Sequence, residues 1–199
     1  MKSFMDWYLP IYSFCFIFFA IILRSWLQYK KTGIHPVTFQ RNSDSVHDYV
    51  GYWFKIVIAL LFAHVLLQHF LPLPKISLFD NTVSQCLGVF LTLGSLLLIL
   101  WAQKTMGNAW RIGIDKEHAT GLVSKGPFQW SRNPIFLGML TSSFGIALIV
   151  PTYLMWSLFT LTWLLINIQV RLEEQYLQEL HQEFYSAYKS ATGRFLPKL

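Results

Sequence analysis

Two polar strings border the longest uncharged stretch of the chain: LVSKGPFQWSRNPIFLG, residues 122–138, and RLEEQYLQELHQEFYSAYKSATGRFLP, residues 171–197. In the first, Gly126 and Pro127 mark a turn, Arg132 and Asn133 stand at the mouth of an apolar run, and Pro134 suits the first turn of a helix. A helix that starts at a membrane surface leaves backbone amides facing the loop, so amides, helix dipole and Arg132 together can hold an anionic group. Alternatively, Arg132 simply anchors the helix at lipid headgroups. In the second string, Glu173 and Glu174 sit where an apolar segment ends, and acidic residues there gain nothing from anionic lipid. A carboxylate so placed can accept from vicinal hydroxyls, as on a ribose, or pair with an ammonium group. The competing reading pairs them with Arg171 and nearby lysines on a solvated helix face.

The elements that must position these residues are membrane spans. Of 199 residues 54% are apolar and only 13% charged, against about 25% charged in a soluble domain. The apolar residues form long runs, which places them in lipid and excludes a water-soluble globular fold. Five spans are predicted, over residues 7–27, 50–71, 83–102, 132–150 and 152–170. From Ile135 to Val170 there is no charge; as one helix this stretch would run about 54 Å through a core of about 30 Å. It must fold back, and Pro151 with Thr152 is the corner. The fold is therefore predicted as all-α and polytopic, with transmembrane helices over 1–102 and a catalytic region over 103–199.

Lys and Arg gather in three segments: Arg24, Lys30, Lys31 and Arg41; Lys104, Arg111, Lys116, Lys125 and Arg132; and Arg171, Lys189, Arg194 and Lys198. The positive-inside rule makes these cytosolic and leaves the amino terminus outside. The net charge of +6 follows from topology; no nucleic-acid motif accompanies it. Leu172, Tyr176, Leu180, Phe184 and Tyr188 recur every four residues, predicting that the last span continues as a helix with an apolar stripe. His64 and Gln68 share a helix face, as packing partners or as a substrate portal. Gly88, Thr92 and Ser95 form a small-residue face for close helix approach. Cys15 and Cys86 lie in apolar runs without metal-ligand spacing and read as buried small residues.

The two strings resemble the signature of the isoprenylcysteine carboxyl methyltransferase family and its relatives among phospholipid methyltransferases. Leu122, Val123, Gly126, Pro127, Phe128, Arg132, Asn133, Pro134, Phe136 and Gly138 match the first motif; Glu173, Glu174, Leu177, Tyr185, Tyr188, Arg194 and Pro197 match the second. His181 and Gln182 stand where many relatives have Phe-Gly, Asn133 where the eukaryotic prenylcysteine enzymes have histidine, and Phe136 where tyrosine is usual. The resemblance implies S-adenosylmethionine as cofactor, held by Thr120, Gly121, Leu122, Val123, Gly126, Phe128, Asn133, Pro134, Ile135, Phe136, Glu173 and Glu174. It also implies a lipid or lipidated substrate facing Arg171, with Arg132, Arg171 and Glu174 at the reacting groups.

Carboxyl O-methylation of an isoprenylcysteine-type acceptor is the leading expectation that the resemblance implies; the absence of an unassigned base near the motifs favours a carboxylate, which with a pKa of about 3.5 needs none, or a thiolate. Phospholipid N-methylation is the alternative, and an amine must first lose a proton. A nicotinamide-dependent sterol-type reductase and a non-catalytic membrane scaffold are the readings from other classes. If Glu174 binds the cofactor, Glu174→Gln should abolish that binding with the fold intact.

Overall fold

The computed structural model describes residues 2–36, 46–68, 70, 73–113 and 120–198, with side chains from Trp7 onward. Arg41, Ile114 and Lys116 fall outside the described residues. The first span is continuous from Trp7 to Thr32. It comprises α1 (Lys2–Cys15), a π-helical segment (Phe16–Leu23) and α2 (Arg24–Thr32), and closes on Gly33 at φ 68°, a conformation glycine adopts freely. Then come α3 (Val46–Leu67), α4 (Thr82–Met106), α5 (Pro134–Ile149) and α6 (Tyr153–Ala191). Four of these helices are long and apolar enough to cross a membrane; α5, with 16 residues, spans only about 24 Å. Each predicted span has its helix, and the outward faces carry large apolar side chains such as Phe14, Phe90 and Leu97, 68%, 73% and 69% exposed. In lipid these faces need no cover.

The corner falls where proline requires it. α5 stops at Ile149, and α6 starts after Thr152, whose hydroxyl accepts from the Met155 amide at 3.1 Å. His64 reaches the same hydroxyl, Nε2 to Oγ1 2.8 Å, so it is a packing partner that ties the end of α3 to this corner. The Ile76 amide donates to the Pro151 carbonyl at 2.7 Å, which brings the α3–α4 connection to the same end of the bundle. α1 runs alongside α4 in the same direction: the Tyr8 hydroxyl meets Thr92 Oγ1 at 2.6 Å, and Gln103 Nε2 donates to the Ala20 carbonyl at 2.8 Å. The charged segments beyond α2, α4 and α6 therefore collect at the opposite end from the corner.

α4 and α5 pack as closely as backbones allow. A Cβ on Gly88 would lie 2.6 Å from the Gly145 carbonyl oxygen, and one on Gly138 would lie 2.5 Å from Ile99 Cγ1. The small face of α4 serves this approach. Tyr12 adds a polar clamp, its hydroxyl 3.2 Å from Ser95 Oγ and 2.7 Å from Ser142 Oγ. Cys86 is exposed on α4 and Cys15 partly so, contrary to the expected burial, because the apolar face of a lipid-exposed helix need not turn inward.

α6 runs for 39 residues, about 58 Å, so only its uncharged part up to Val170 fits the hydrocarbon core. The remainder projects from the bundle, as the tail pattern predicts, but the four-residue stripe does not hold. At Gln182 the backbone turns to φ 44°, ψ −112°, which rotates the last two turns. Phe184 is 82% exposed and Tyr185 is 1% exposed in its stead.

Candidate functional site

The two polar strings meet. α5 begins at Pro134, whose missing amide proton is no loss in a first turn, and the preceding Asn133 makes no side-chain cap. Its side-chain amide instead donates to Glu174 Oε1 at 3.1 Å and to the Arg194 carbonyl at 3.2 Å. The first turn of α5 thus has no side-chain cap from its N-cap residue. Arg132 donates to the same Glu174 oxygen through Nε at 3.1 Å and Nη2 at 3.0 Å, and its Nη1 reaches the carbonyls of Lys189 and Thr192. Arg194 binds the other carboxylate oxygen, Nε at 3.1 Å and Nη2 at 2.8 Å. Arg132 and Glu174 side chains are each 6% exposed and Arg194 is 34% exposed.

The tail closes over this node in register. Ser131 pairs with Gly193 in a parallel bridge, and the Arg132 amide donates to the Gly193 carbonyl at 2.9 Å. The Tyr188 hydroxyl donates to the Phe128 carbonyl at 2.6 Å, fixing the turn over Gly126–Gln129. Gly126 has φ 58°, and a Cβ there would sit 3.0 Å from Thr105 Oγ1, so the position requires glycine twice over.

Electrostatics follow from burial set against charge. Burial alone would raise the Glu174 carboxyl, but the guanidinium groups of Arg194 and Arg132 outweigh it and hold it below the usual carboxylate range. Arg194 is raised in turn by its hydrogen bond to Glu174. Tyr185 is pushed up to about 12, first by burial and then by the negative charge of Glu174, against the opposing pull of the Arg132 guanidinium that its buried hydroxyl faces. Glu173, one residue away, faces different company. Its side chain is partly accessible, but dense packing around the carboxyl raises it to about 7, and one hydrogen bond from Gln169 Nε2, 2.9 Å, offsets little of that. The same Gln169 nitrogen lies 3.1 Å from His47 Nδ1.

Of the sequence-predicted site residues, Arg132, Asn133, Pro134 and Glu174 come together, with Phe128 buried beside the turn. Thr120, Leu122 and Val123 are half-buried and Gly121 is exposed, in an irregular segment leading to Gly126; Ile135 and Phe136 are half-buried in the first turn of α5. Arg171 is exposed and donates to Asn167 of its own helix, 2.7 Å to the carbonyl and 3.3 Å to Oδ1, so it takes no part in the node. Arg194 does, and sequence reasoning gave it no role; its only signal was its place in the terminal Arg-x-x-Pro pattern. Glu174→Gln also cannot leave the fold untouched, since both carboxylate oxygens are engaged within the protein.

Beneath this end, inside the bundle, lies a crevice open on one side, lined by Tyr12, Phe16, Phe54, Ile58, Leu61, Phe62, Met139, Ser142, Ser143, Ile146 and Thr162. It draws on α1, α3, α5 and α6, and its walls are overwhelmingly apolar.

Comparison with known proteins places this geometry. Over 196 residues the chain is 28% identical to the protein-S-isoprenylcysteine O-methyltransferase of Saccharomyces cerevisiae, a match covering 93% of this chain and 80% of that protein. The family profile for phospholipid methyltransferases matches residues 83–183, from the start of α4 through the kink in α6. That span holds Arg132, Asn133 and Glu174 and leaves only Arg194 and the closing tail beyond it, and it sets aside the reductase and scaffold readings: the chain is a membrane methyltransferase that belongs to the phospholipid methyltransferase family.

Proposed function

We propose that this protein uses S-adenosylmethionine to O-methylate the carboxylate of an isoprenylcysteine-type lipid, at the cytosolic face of a membrane, with its amino terminus on the opposite side. The observation that carries this reading is the buried Arg132–Glu174–Arg194 node, which ties the start of α5, the emergence of α6 and the tail into one pocket wall. The residues fit the cofactor's chemistry at two points. The uncapped first turn of α5 offers amide donors and a favourable dipole for its amino-acid carboxylate, and the Tyr185 hydroxyl, buried beside Arg132, offers a polar group to a ligand. The strip Thr120–Val123 with Gly126, Phe128, Asn133, Pro134, Ile135 and Phe136 forms the remaining walls, and residues 103–199 constitute the catalytic region. Glu174 acts chiefly through the two arginines that it orients. Glu173 borders the pocket, and Arg171, on the exposed face of α6, meets the substrate only as it enters.

When bound, the cofactor supplies a methyl group already activated on a positively charged sulfur. This chain supplies position and charge. The acceptor carboxylate is ionised at neutral pH, so the residues around it need remove no proton; they orient one oxygen and exclude water. The apolar crevice between α3 and α6 suits the hydrocarbon tail, which enters sideways from the bilayer while the cofactor arrives from water. A second reading has one observation in its favour: Glu173, raised to about 7, is poised to accept a proton at neutral pH, as an amine acceptor would require.

Titrating the detergent-solubilised protein by calorimetry tests the cofactor. S-adenosylhomocysteine should bind and NADPH should not; binding of NADPH alone would overturn the assignment.

A further inference from the structure

The first span ends on a cation that no carboxylate among the described residues pairs with. Arg24 lies over the Trp110 ring, 5.2 Å from its centroid, and donates through Nη2 to the Gly107 carbonyl. Its Nε is buried with no hydrogen-bond partner, and among the described residues no carboxylate pairs with it. The adjacent Ser25 hydroxyl is also buried and unpartnered. One turn on, Gln28 is fully buried; its Nε2 donates to the Asn108 carbonyl at 2.7 Å, and its Oε1 has no partner. A spare amide oxygen is a deficit that one water can fill. A partly buried guanidinium is different, because desolvation without a compensating anion is costly. Among the described residues, what is missing beside Arg24 is negative charge.

The surroundings identify its source. Trp26 and Tyr29 are each 54% exposed, and Lys30 lies over the Trp26 ring at 5.1 Å. Aromatic side chains displayed with lysines at a span end mark the level of lipid headgroups. We propose that Arg24 and Ser25, walled by Trp110, form a binding site for the phosphate of an anionic phospholipid, with Gln28 holding the Asn108 carbonyl beside it. The site shares no residue with the Arg132–Glu174–Arg194 node.

Native mass spectrometry of the full chain, exchanged into mixed phosphatidylglycerol and phosphatidylcholine, tests this. The wild type should retain phosphatidylglycerol selectively, and Arg24→Gln should retain it about fivefold less, whereas Lys30→Gln, on the same belt, should retain it as the wild type does. Equal losses in Arg24→Gln and Lys30→Gln would show diffuse attraction and overturn the site, as would wild-type retention without preference. Inorganic phosphate displacing the lipid at millimolar concentration would assign the site to a soluble anion and overturn it also. Should Arg24→Gln fail to fold, Arg24→Lys keeps the charge but loses Nε and the stacked plane; its retention must fall below that of the wild type, and equality would refute the proposal.

Discussion

Replacing Glu174 with glutamine removes one charge and one acceptor from a site where three donors converge. Arg132 is 6% exposed and would keep its positive charge there without compensation. Breaking a buried pair from one side costs about 3–5 kcal/mol. The amide oxygen of glutamine can still accept from Arg132 or Arg194, though not from both, which puts Glu174→Gln at the lower end, about 3 kcal/mol. For a chain of this size that is a fall in melting temperature of about 6–12 °C. Arg194→Gln should cost much less, about 1 kcal/mol, because Arg194 is 34% exposed and Glu174 would keep Arg132 and Asn133. Tryptophan emission during heating of the purified protein in nanodiscs measures both. pH supplies a second axis. A carboxyl held below its ordinary 4.5 contributes stability above that value and loses it as pH falls further, through the folded pKa. The wild type should therefore destabilise below about pH 4.5 more steeply than Glu174→Gln. If Glu174→Gln melts within about 2 °C of the wild type, or if Arg194→Gln costs as much, the node does not hold the three segments together.

Three further outcomes follow from particular contacts. Gln182→Gly should stabilise the protein by about 1–2 kcal/mol, since φ 44° strains any residue with a Cβ; an unchanged melting temperature would show the kink to be unstrained. Gly88→Ala should cost about 1–3 kcal/mol, because the new Cβ meets a backbone oxygen at 2.6 Å, whereas Gly94→Ala, with nothing within 4 Å, should be neutral or stabilising; equal effects of the two would contradict the close α4–α5 packing. Glu173 has the opposite sign to Glu174: with its folded pKa raised from 4.5 to about 7, stability falls as pH rises between those values and levels off above. Allowing for its partial accessibility, Glu173→Gln should gain about 1–2 kcal/mol at pH 8 and flatten that slope in chemical denaturation, and a slope that persists in the variant would exclude Glu173 as its source.

What could be read from the sequence was what depends on near neighbours. Hydropathy located the spans, Pro151 with Thr152 located the corner, and Gly88, Thr92 and Ser95 announced the close approach of α4 to α5. The stripe through Phe184 was misread because its phase assumed an unbroken helix, and Gln182 reverses the local backbone without a glycine to signal it. Arg171 and Arg194 show the same limit in the site. Both are arginines of one string, Arg171 just before Glu174 and Arg194 20 residues after it, and only the parallel pairing of Ser131 with Gly193 turns Arg194 inward. Arg171, on a regular turn of α6, is left to its own helix. The unpaired Arg24 was invisible for a related reason: its neighbours Gly107 and Trp110 lie far along the chain.

The measurement closest to the central claim is methyl transfer itself. Membranes containing the protein, given methyl-labelled S-adenosylmethionine and a farnesylated cysteine acceptor, should yield a lipid-soluble product whose label is released by mild base, as from an ester. Label that enters membrane phospholipid and resists base would contradict carboxyl methylation and make this protein an amine methyltransferase.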